Sequence, residues 1–458
     1  MKLVRKYLLT LIILGIITEG FGQDTKEILS LSVSGAQDFA LQNNRSVKAA
    51  KIDIASADKK VWENLATGLP QVTLAANYLH QFVVPQLSFG PYLDVNSLPD
   101  GALFKTDIMD AYKDSPPISL GVKNNTTIDL TVSQLIFSGQ YLVGLQATKV
   151  LKELTEKNLV KTEDQTKESV AETYHLVLVL GENVRLLNES LKSVDQTYGE
   201  MVKMNEQGLN EETDVDQIKI NRSNIQTIIN SMESQKEIAI KLLKFQLGLE
   251  FDRMVILTDS LGGIIDQGKM KYLVSPEYDV NSNVDYQLVR KQEEISELLL
   301  KLEKAKYLPT VAAFYRHQEQ TNQPSFNFAV KDVVGASFSL PIATSGIRNA
   351  RVSQARFDLE KSQLAKDNAK QGLIMEFETA LSSYQTAFSN FITNKESMEL
   401  GKKVYDKTII KYREGVSSSF ELTQNQNQFL TAESNYYNSV LSLLNAKEKL
   451  DRLLNSTN

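Results

Sequence analysis

The chain has 458 residues, with 50 Lys and Arg against 56 Asp and Glu, a formal net charge of −6, 42% hydrophobic residues, no cysteine and three histidines. Nothing in that charge balance argues for a nucleic-acid groove, and zero cysteines exclude a disulfide framework, a thiolate zinc site, a cysteine nucleophile and a lipidated N-terminal cysteine. Only ten prolines and 22 glycines punctuate the sequence, so long uninterrupted elements are expected.

Lys2, Arg5 and Lys6 precede the apolar run from Tyr7 to Ile17, and Gly20-Phe21-Gly22 supplies a small-x-small cleavage pattern. Residues 1–22 read as a secretory signal with Gln23 as the first mature residue. The alternative is a short membrane anchor, against which stands an apolar core well below the roughly 20 residues of a spanning helix.

Behind the signal the chain is duplicated. Gly208 and Gly415 sit in matching turns, Gln207 to Val215 against Glu414 to Leu422, and the same offset relates Ser138-Gly139 to Ser345-Gly346 and Tyr198 to Tyr405. Leu69-Pro70-Gln71-Val72 matches Leu308-Pro309-Thr310-Val311 at a larger offset, so the first copy holds an insertion that the stretch from Pro85 to Pro117 explains as an enlarged loop. The first repeat covers 23–249, with strands expected at about 70–84 and 127–138 and long helices at about 140–204 and 212–249. A connecting segment fills 250–284. The second repeat, 285–458, has strands expected at about 309–318 and 332–342 and helices at about 346–412 and 418–455.

The helices carry heptads. Val177, Val184, Leu191 and Tyr198 alternate with Leu180, Leu187, Val194 and Met201; Phe377, Tyr384, Phe391, Met398 and Tyr405 form the matching seam, and Leu422, Phe429, Tyr436, Leu443 and Leu450 follow the second turn. A narrow apolar stripe on a polar helix suits coiled-coil pairing. The four strand segments alternate with period two, as in Val72, Leu74, Ala76 and Tyr78 against Thr73, Ala75 and Asn77. That pattern fits either a soluble sheet with one buried face or strands of a membrane barrel. In lipid a sheet must close, and the smallest familiar barrels have about eight strands. Four cannot close alone, whereas three pooled copies give twelve.

The duplicated strand-loop-strand, the joints at Phe137-Ser138-Gly139 and Ser345-Gly346, the stretch from Tyr412-Arg413-Glu414-Gly415 to Phe420-Glu421-Leu422, and Gly208-Leu209 through Thr213-Asp214-Val215 resemble the TolC family of outer-membrane efflux factors over essentially the whole mature chain. The resemblance implies a mainly α protein of long antiparallel coiled-coil helices that form a periplasmic tunnel, with four β-strands per chain contributing to a twelve-stranded trimeric barrel in the outer membrane. It implies a homotrimer in contact with outer-membrane lipid, a periplasmic adaptor (membrane fusion) protein and an inner-membrane transporter as partners, and no nucleic acid, metal, cofactor or enzymatic activity.

Carried over by position, Glu421 faces the periplasmic aperture, and Gln424 stands where a second acidic residue is common in the family. Glu211, Glu212, Asp214 and Asp216 keep the entrance negative, and Tyr412 matches a tyrosine that ties the closed entrance. The plainer reading of Ser418-x-x-Glu421 is a capping box, with first-turn acids complementing the helix dipole; Tyr412 also reads as a seam residue. Gly208, Leu209, Thr213, Val215, Gly415, Val416 and Ser418 form the tips, the expected adaptor-docking surface. His80 and His317 read as interfacial or solvated side chains, and Trp62 as either an interface anchor or a core residue. The leading function is passive exit for small toxic compounds delivered by a pump. The alternatives are the same duct in type I protein secretion and a periplasmic structural coiled coil.

Overall fold

The computed structural model describes residues 28–87, 117–267, 277–323, 327 and 329–455. The signal segment 1–22, most of the Pro85 to Pro117 loop and part of the 250–284 segment lie outside the described residues. In chain order the elements are β1 (Leu29–Leu31), α1 (Val33–Asn43), α2 (Arg45–Ala66), β2 (Gln71–His80), β3 (Gln86–Leu87), β4 (Ile118–Ser119) and β5 (Asn124–Ser138). They continue with α3 (Gly139–Glu206), α4 (Glu212–Gln246), β6 (Val255–Leu257), α5 (Leu261–Gln267), α6 (Val284–Ala305), β7 (Thr310–Gln320), β8 (Asp332–Ser339), α7 (Ile347–Arg413) and α8 (Ser419–Asn455). No helix among the described residues is long and apolar enough to cross a membrane.

Three elements end earlier than their sequence pattern suggests. β2 stops at His80 rather than near 84: the Gln81 N–H still reaches the Lys123 carbonyl at 2.8 Å, but Pro85 has no N–H to extend the ladder further. β8 stops at Ser339, two residues before Pro341. Helix α4 stops at Gln246 because Gly248 adopts φ +73°, with the Leu249 N–H returning to Lys244 O at 2.9 Å.

The chain divides into two compact units. One comprises 54–155 and 289–366. Its centre is an antiparallel sheet in the order β2-β5-β7-β8, with registers such as Leu74↔Leu130, Leu130↔His317 and Tyr315↔Val334. Residues directly opposite share a face. Val72, Leu74 and Ala76 therefore join Val132, Leu130 and Ile128, and Tyr315, Ala313 and Val311 join Val334, Ala336 and Phe338, with the Val132↔Tyr315 pair linking the two halves of one largely apolar field that also carries Gln134, His317 and Glu319. That field is open: Leu74 is 71% exposed, Val334 82% and Phe338 67%. The opposite face carries Thr73, Asn77, Asp129, Thr131, Arg316, Gln318 and Ser337.

One end of the apolar field finishes in two matching polar clusters. His80 Nδ1 and Tyr78 Oη meet Asn124 Oδ1 at 2.6 and 3.1 Å, and His317 Nδ1 and Tyr315 Oη meet Asp332 Oδ1 at 2.8 and 2.7 Å. Both histidines are thus tied at strand ends. On α2, Trp62 is 60% exposed, which removes the core alternative within this chain. The short β3–β4 ladder forms the neck of the loop after β2, and Ala147, Val150, Ile295 and Leu298 pack α3 against α6.

The other unit comprises 1–53, 156–288 and 367–458. Here α3, α4, α7 and α8 bury the heptad positions: Leu187, Val194 and Met201 from α3, Phe377, Tyr384, Phe391 and Tyr405 from α7, and Leu422, Phe429, Leu443 and Leu450 from α8. Tyr436 is only half-buried, and its neighbour Tyr437 takes the inner place. A parallel β1–β6 ladder, which short apolar runs did not announce, is clamped by Tyr174: its one hydroxyl proton is shared between Leu31 O at 2.9 Å and Asp259 Oδ2 at 3.0 Å, while Asp259 Oδ2 also accepts the Val33 N–H at 2.7 Å.

His175, on α3, is 1% exposed. Burial, aided by the nearby Lys447 ammonium, pushes its pKa down to about 4. Its neutral form is the one that folds, so the stability it supports is complete above its unfolded pKa of about 6.5 and declines as pH falls toward 4. Thermal melts across that window should show the wild type losing Tm more steeply than His175→Gln; equal slopes would remove His175 as the cause.

Candidate functional site

The candidate site lies at the two helix-turn-helix tips of the helical unit. Both turns use one backbone device. Leu209 N–H returns to Met204 O at 2.9 Å and Gly208 N–H to Asn205 O at 2.8 Å; Val416 N–H returns to Lys411 O at 2.8 Å and Gly415 N–H to Tyr412 O at 3.0 Å. Each pair closes a helix C-terminus through a left-handed residue, and Gly208 and Gly415 both have φ +73°. Nothing lies within 4 Å of a Cβ added at either position. The demand for glycine is therefore conformational and not steric.

This separation gives a test. Gly415→Ala should cost about 1–2 kcal/mol, the penalty of a left-handed L-residue, and Gly415→Asn clearly less, as read from chemical denaturation. Equal losses for both variants would contradict it.

The two tips carry different side-chain chemistry. At the first, Glu211 occupies the N-cap of α4 without a side-chain cap bond, and the Thr213 hydroxyl donates to Glu211 Oε2 at 3.2 Å. Glu211, Glu212, Thr213 and Asp216 are exposed, and Asp214 and Val215 are half-buried. At the second, Ser418 Oγ accepts the Glu421 N–H at 3.1 Å. The expected reciprocal half of that capping box is missing. The Glu421 carboxylate instead accepts the Ser417 hydroxyl at 2.7 Å, a nearer donor. Glu421 and Gln424 are both exposed and lie three residues apart, one above the other on α8.

The sequence reading missed the bonds that join the tips. Ser419 Oγ donates to Asp214 Oδ1, so Asp214 is engaged between hairpins. Asn221 Nδ2 donates to Gln426 Oε1 at 2.8 Å, and Gln426 Nε2 to Ser190 Oγ at 3.2 Å. Gln426 and Asn221 are 1% and 3% exposed. They form a polar layer inside the apolar seam, where heptad arithmetic sees only an interruption. Arg413 Nε lies 3.5 Å from Glu200 Oε2. Tyr412 is half-buried against the cluster of Met201, Ile218, Tyr405 and Leu422, and burial, with Asp214 and Glu200 adding to it, raises its pKa.

Electrostatically the first tip dominates. Residues 211 to 216 supply four carboxylates and no base, whereas Lys411 and Arg413 balance Glu414 and Glu421 at the second. At the apices, Leu209 and Val416 occupy equivalent places after the glycines and are 66% and 75% exposed, and Phe420 is 62% exposed. Tips that end in apolar side chains ringed by carboxylates are surfaces built for contact rather than for chemistry.

Two repeats that together supply one four-stranded amphipathic sheet and two pairs of long helices are an architecture found again among known proteins. Residues 289–456 match the family model described as outer membrane efflux protein. The CmeC outer membrane channel of Campylobacter jejuni superposes with a TM-score of 0.70 at 16% identity, over 93% of this chain and 85% of that one. VceC of Vibrio cholerae gives 0.69 at 14%, over 92% and 95%, and the MtrE channel of Neisseria gonorrhoeae in its open state gives 0.70 at 14%, over 92% and 88%. No curated protein matches the sequence at a significant level. The structural likenesses, at such identities, are likenesses of fold. The family match lies in the second repeat, and the structural likenesses extend the same fold over the first.

Proposed function

We propose that this chain is the outer-membrane duct of an export assembly, in which three copies pool their sheets into a twelve-stranded barrel and their long helices into a periplasmic conduit. The single observation that carries the reading is the β2-β5-β7-β8 sheet: it has an exposed apolar face, and among the described residues β2 and β8 each pair on one side only. Hydrocarbon matches the face but cannot satisfy the edges, so other strands must. Identical copies supply them with the same register chemistry, and the closed sheet then places Asp129, Arg316 and Gln318 toward water.

Transport through such a duct is passive. A periplasmic adaptor contacts the tips through Leu209 and Val416, and an inner-membrane transporter delivers the cargo. The efflux family favours small toxic compounds as that cargo over secreted polypeptides. Glu421, Glu212 and Asp216 face the entrance, where threefold symmetry repeats each charge and raises local cation concentration. Asp214 contributes less field than its neighbours because Ser419 engages it. Tyr412 stays in the seam beneath them.

Two measurements test this. Native mass measurement of detergent-solubilised, fully folded protein should return three copies per particle, and a folded monomer would end the proposal. In planar bilayers, Glu421→Ala combined with Asp214→Ala should lower the cation-to-anion permeability ratio of single channels. An unchanged ratio would take both carboxylates out of the filter while leaving the trimer intact.

A further inference from the structure

About three turns from the second tip, α3, α7 and α8 of the helical unit border a cavity of about 300 Å3. Its wall is aromatic and soft. Tyr405 and Phe429 stack with centroids 5.9 Å apart and 12° between their planes, and Tyr437 and Met398 extend the surface. Three carboxylates reach it: Glu189 on α3, Asp406 on α7 and Glu433 on α8.

Two of the three are already compensated. Arg185 Nη1 lies 2.5 Å from Glu189 Oε1, and Lys402 Nζ lies 3.1 Å from Asp406 Oδ2. Both pairs are substantially exposed. Glu433 differs. It is 6% exposed, and among the described residues it has no hydrogen bond or contact ion pair; the Lys402 ammonium, also in the cavity wall, is the opposite charge that acts on it most. A buried carboxyl without a donor is costly in either protonation state. It is therefore a group that a ligand would satisfy.

The chemistry of the missing partner follows from the count. One carboxylate without a contact ion pair, among three carboxylates and the single Lys402 ammonium in the wall, calls for one positive charge. Calcium needs six to eight oxygens and magnesium a near-octahedral set, and among the described residues no group of His, Asp and Glu is arranged for a metal ion. Flat π faces attract cations that carry an apolar skirt. The Phe429 ring already faces one, since Lys402 Nζ lies 6.0 Å from its centroid. A cavity of this volume is at the small end of ligand sites.

We propose that this cavity binds a small organic monocation, a quaternary ammonium or a protonated alkylamine, with Glu433 as the counter-ion and Tyr405, Phe429 and Tyr437 as the aromatic wall. The site lies within one chain, and the proposal does not rest on the trimeric duct.

Protonation sets when the site is charged. Burial pushes the Glu433 carboxyl up to about 7; Lys402 opposes that, Glu189 adds to it, Arg185 opposes it and Glu182 adds to it. Tyr437, beside Glu433 on α8, has its own pKa raised chiefly by burial. Below neutrality the Glu433 carboxyl is neutral, and the charges left at the cavity are the paired ones of Glu189 with Arg185 and Asp406 with Lys402. Above it the carboxylate is exposed to whatever cation enters, and a bound cation lowers its pKa and releases a proton.

The test is calorimetric titration of choline into the full chain in detergent, at pH 8.5 and pH 5.5, beside its uncharged isostere 3,3-dimethyl-1-butanol. Saturable choline binding at pH 8.5 is expected, at least tenfold weaker at pH 5.5, at least tenfold weaker in Glu433→Gln, and not matched by the alcohol. No saturable binding at pH 8.5, equal affinity for the alcohol, or full affinity in a folded Glu433→Gln would overturn the site. Circular dichroism establishes whether the variant folds. If it does not, the wild-type pH dependence and the isostere comparison decide the question.

Discussion

A sheet edge presents a row of N–H and C=O groups, and hydrocarbon offers them nothing. Each unpaired group there costs several kcal/mol, so an apolar sheet with two open edges cannot be a finished membrane structure. That constraint orders the rest of the strand unit. In the proposed duct the apolar field formed by Val72, Leu74, Leu130, Val334 and Phe338 meets lipid, and the polar reverse face meets water. The paired clusters of Tyr78, His80 and Asn124 and of Tyr315, His317 and Asp332 end that field with groups suited to an interface, which are apolar in the ring and polar at the tip.

The duplication separates what backbone geometry preserves from what side chains are free to change. Both tips close with the same pair of returning hydrogen bonds and the same left-handed glycine. Around that shared turn the first tip collects carboxylates and leaves its helix start uncapped, whereas the second has a serine cap and a balanced charge. Turn geometry depends on one residue adopting positive φ. Surface charge depends on no such condition, so it diverges without disturbing the fold.

The helical seams contain two kinds of buried polar group with opposite consequences. Gln426, Asn221 and Ser190 satisfy one another, and a satisfied polar layer in an apolar seam penalises any register that would separate its members. Glu433 sits in the same set of helices beside a cavity, with no hydrogen bond or contact ion pair among the described residues. A network completed within the chain reads as a device for alignment; a carboxyl left incomplete beside a void reads as a place for a ligand.

Periodicity carried the architecture. Heptads on α3, α7 and α8, period-two alternation in the four strands and the matched glycines at 208 and 415 are local patterns, each legible because neighbouring residues alone decide which face of an element is apolar. Element ends were less legible where a proline or a returning N–H cut them short, as at His80 and Ser339. What the sequence could not convey is which distant groups meet. The Asn221–Gln426 and Asp214–Ser419 bonds each span 205 positions, and Tyr174 ties β1, at the start of the first repeat, to Asp259 just after β6 in the connecting segment. Glu433 looks like any other heptad-flanking acid until three helices close around it. Such pairings depend on tertiary packing, because burial and hydrogen-bond complementarity are properties of surfaces brought together and not of the order in which their residues are joined.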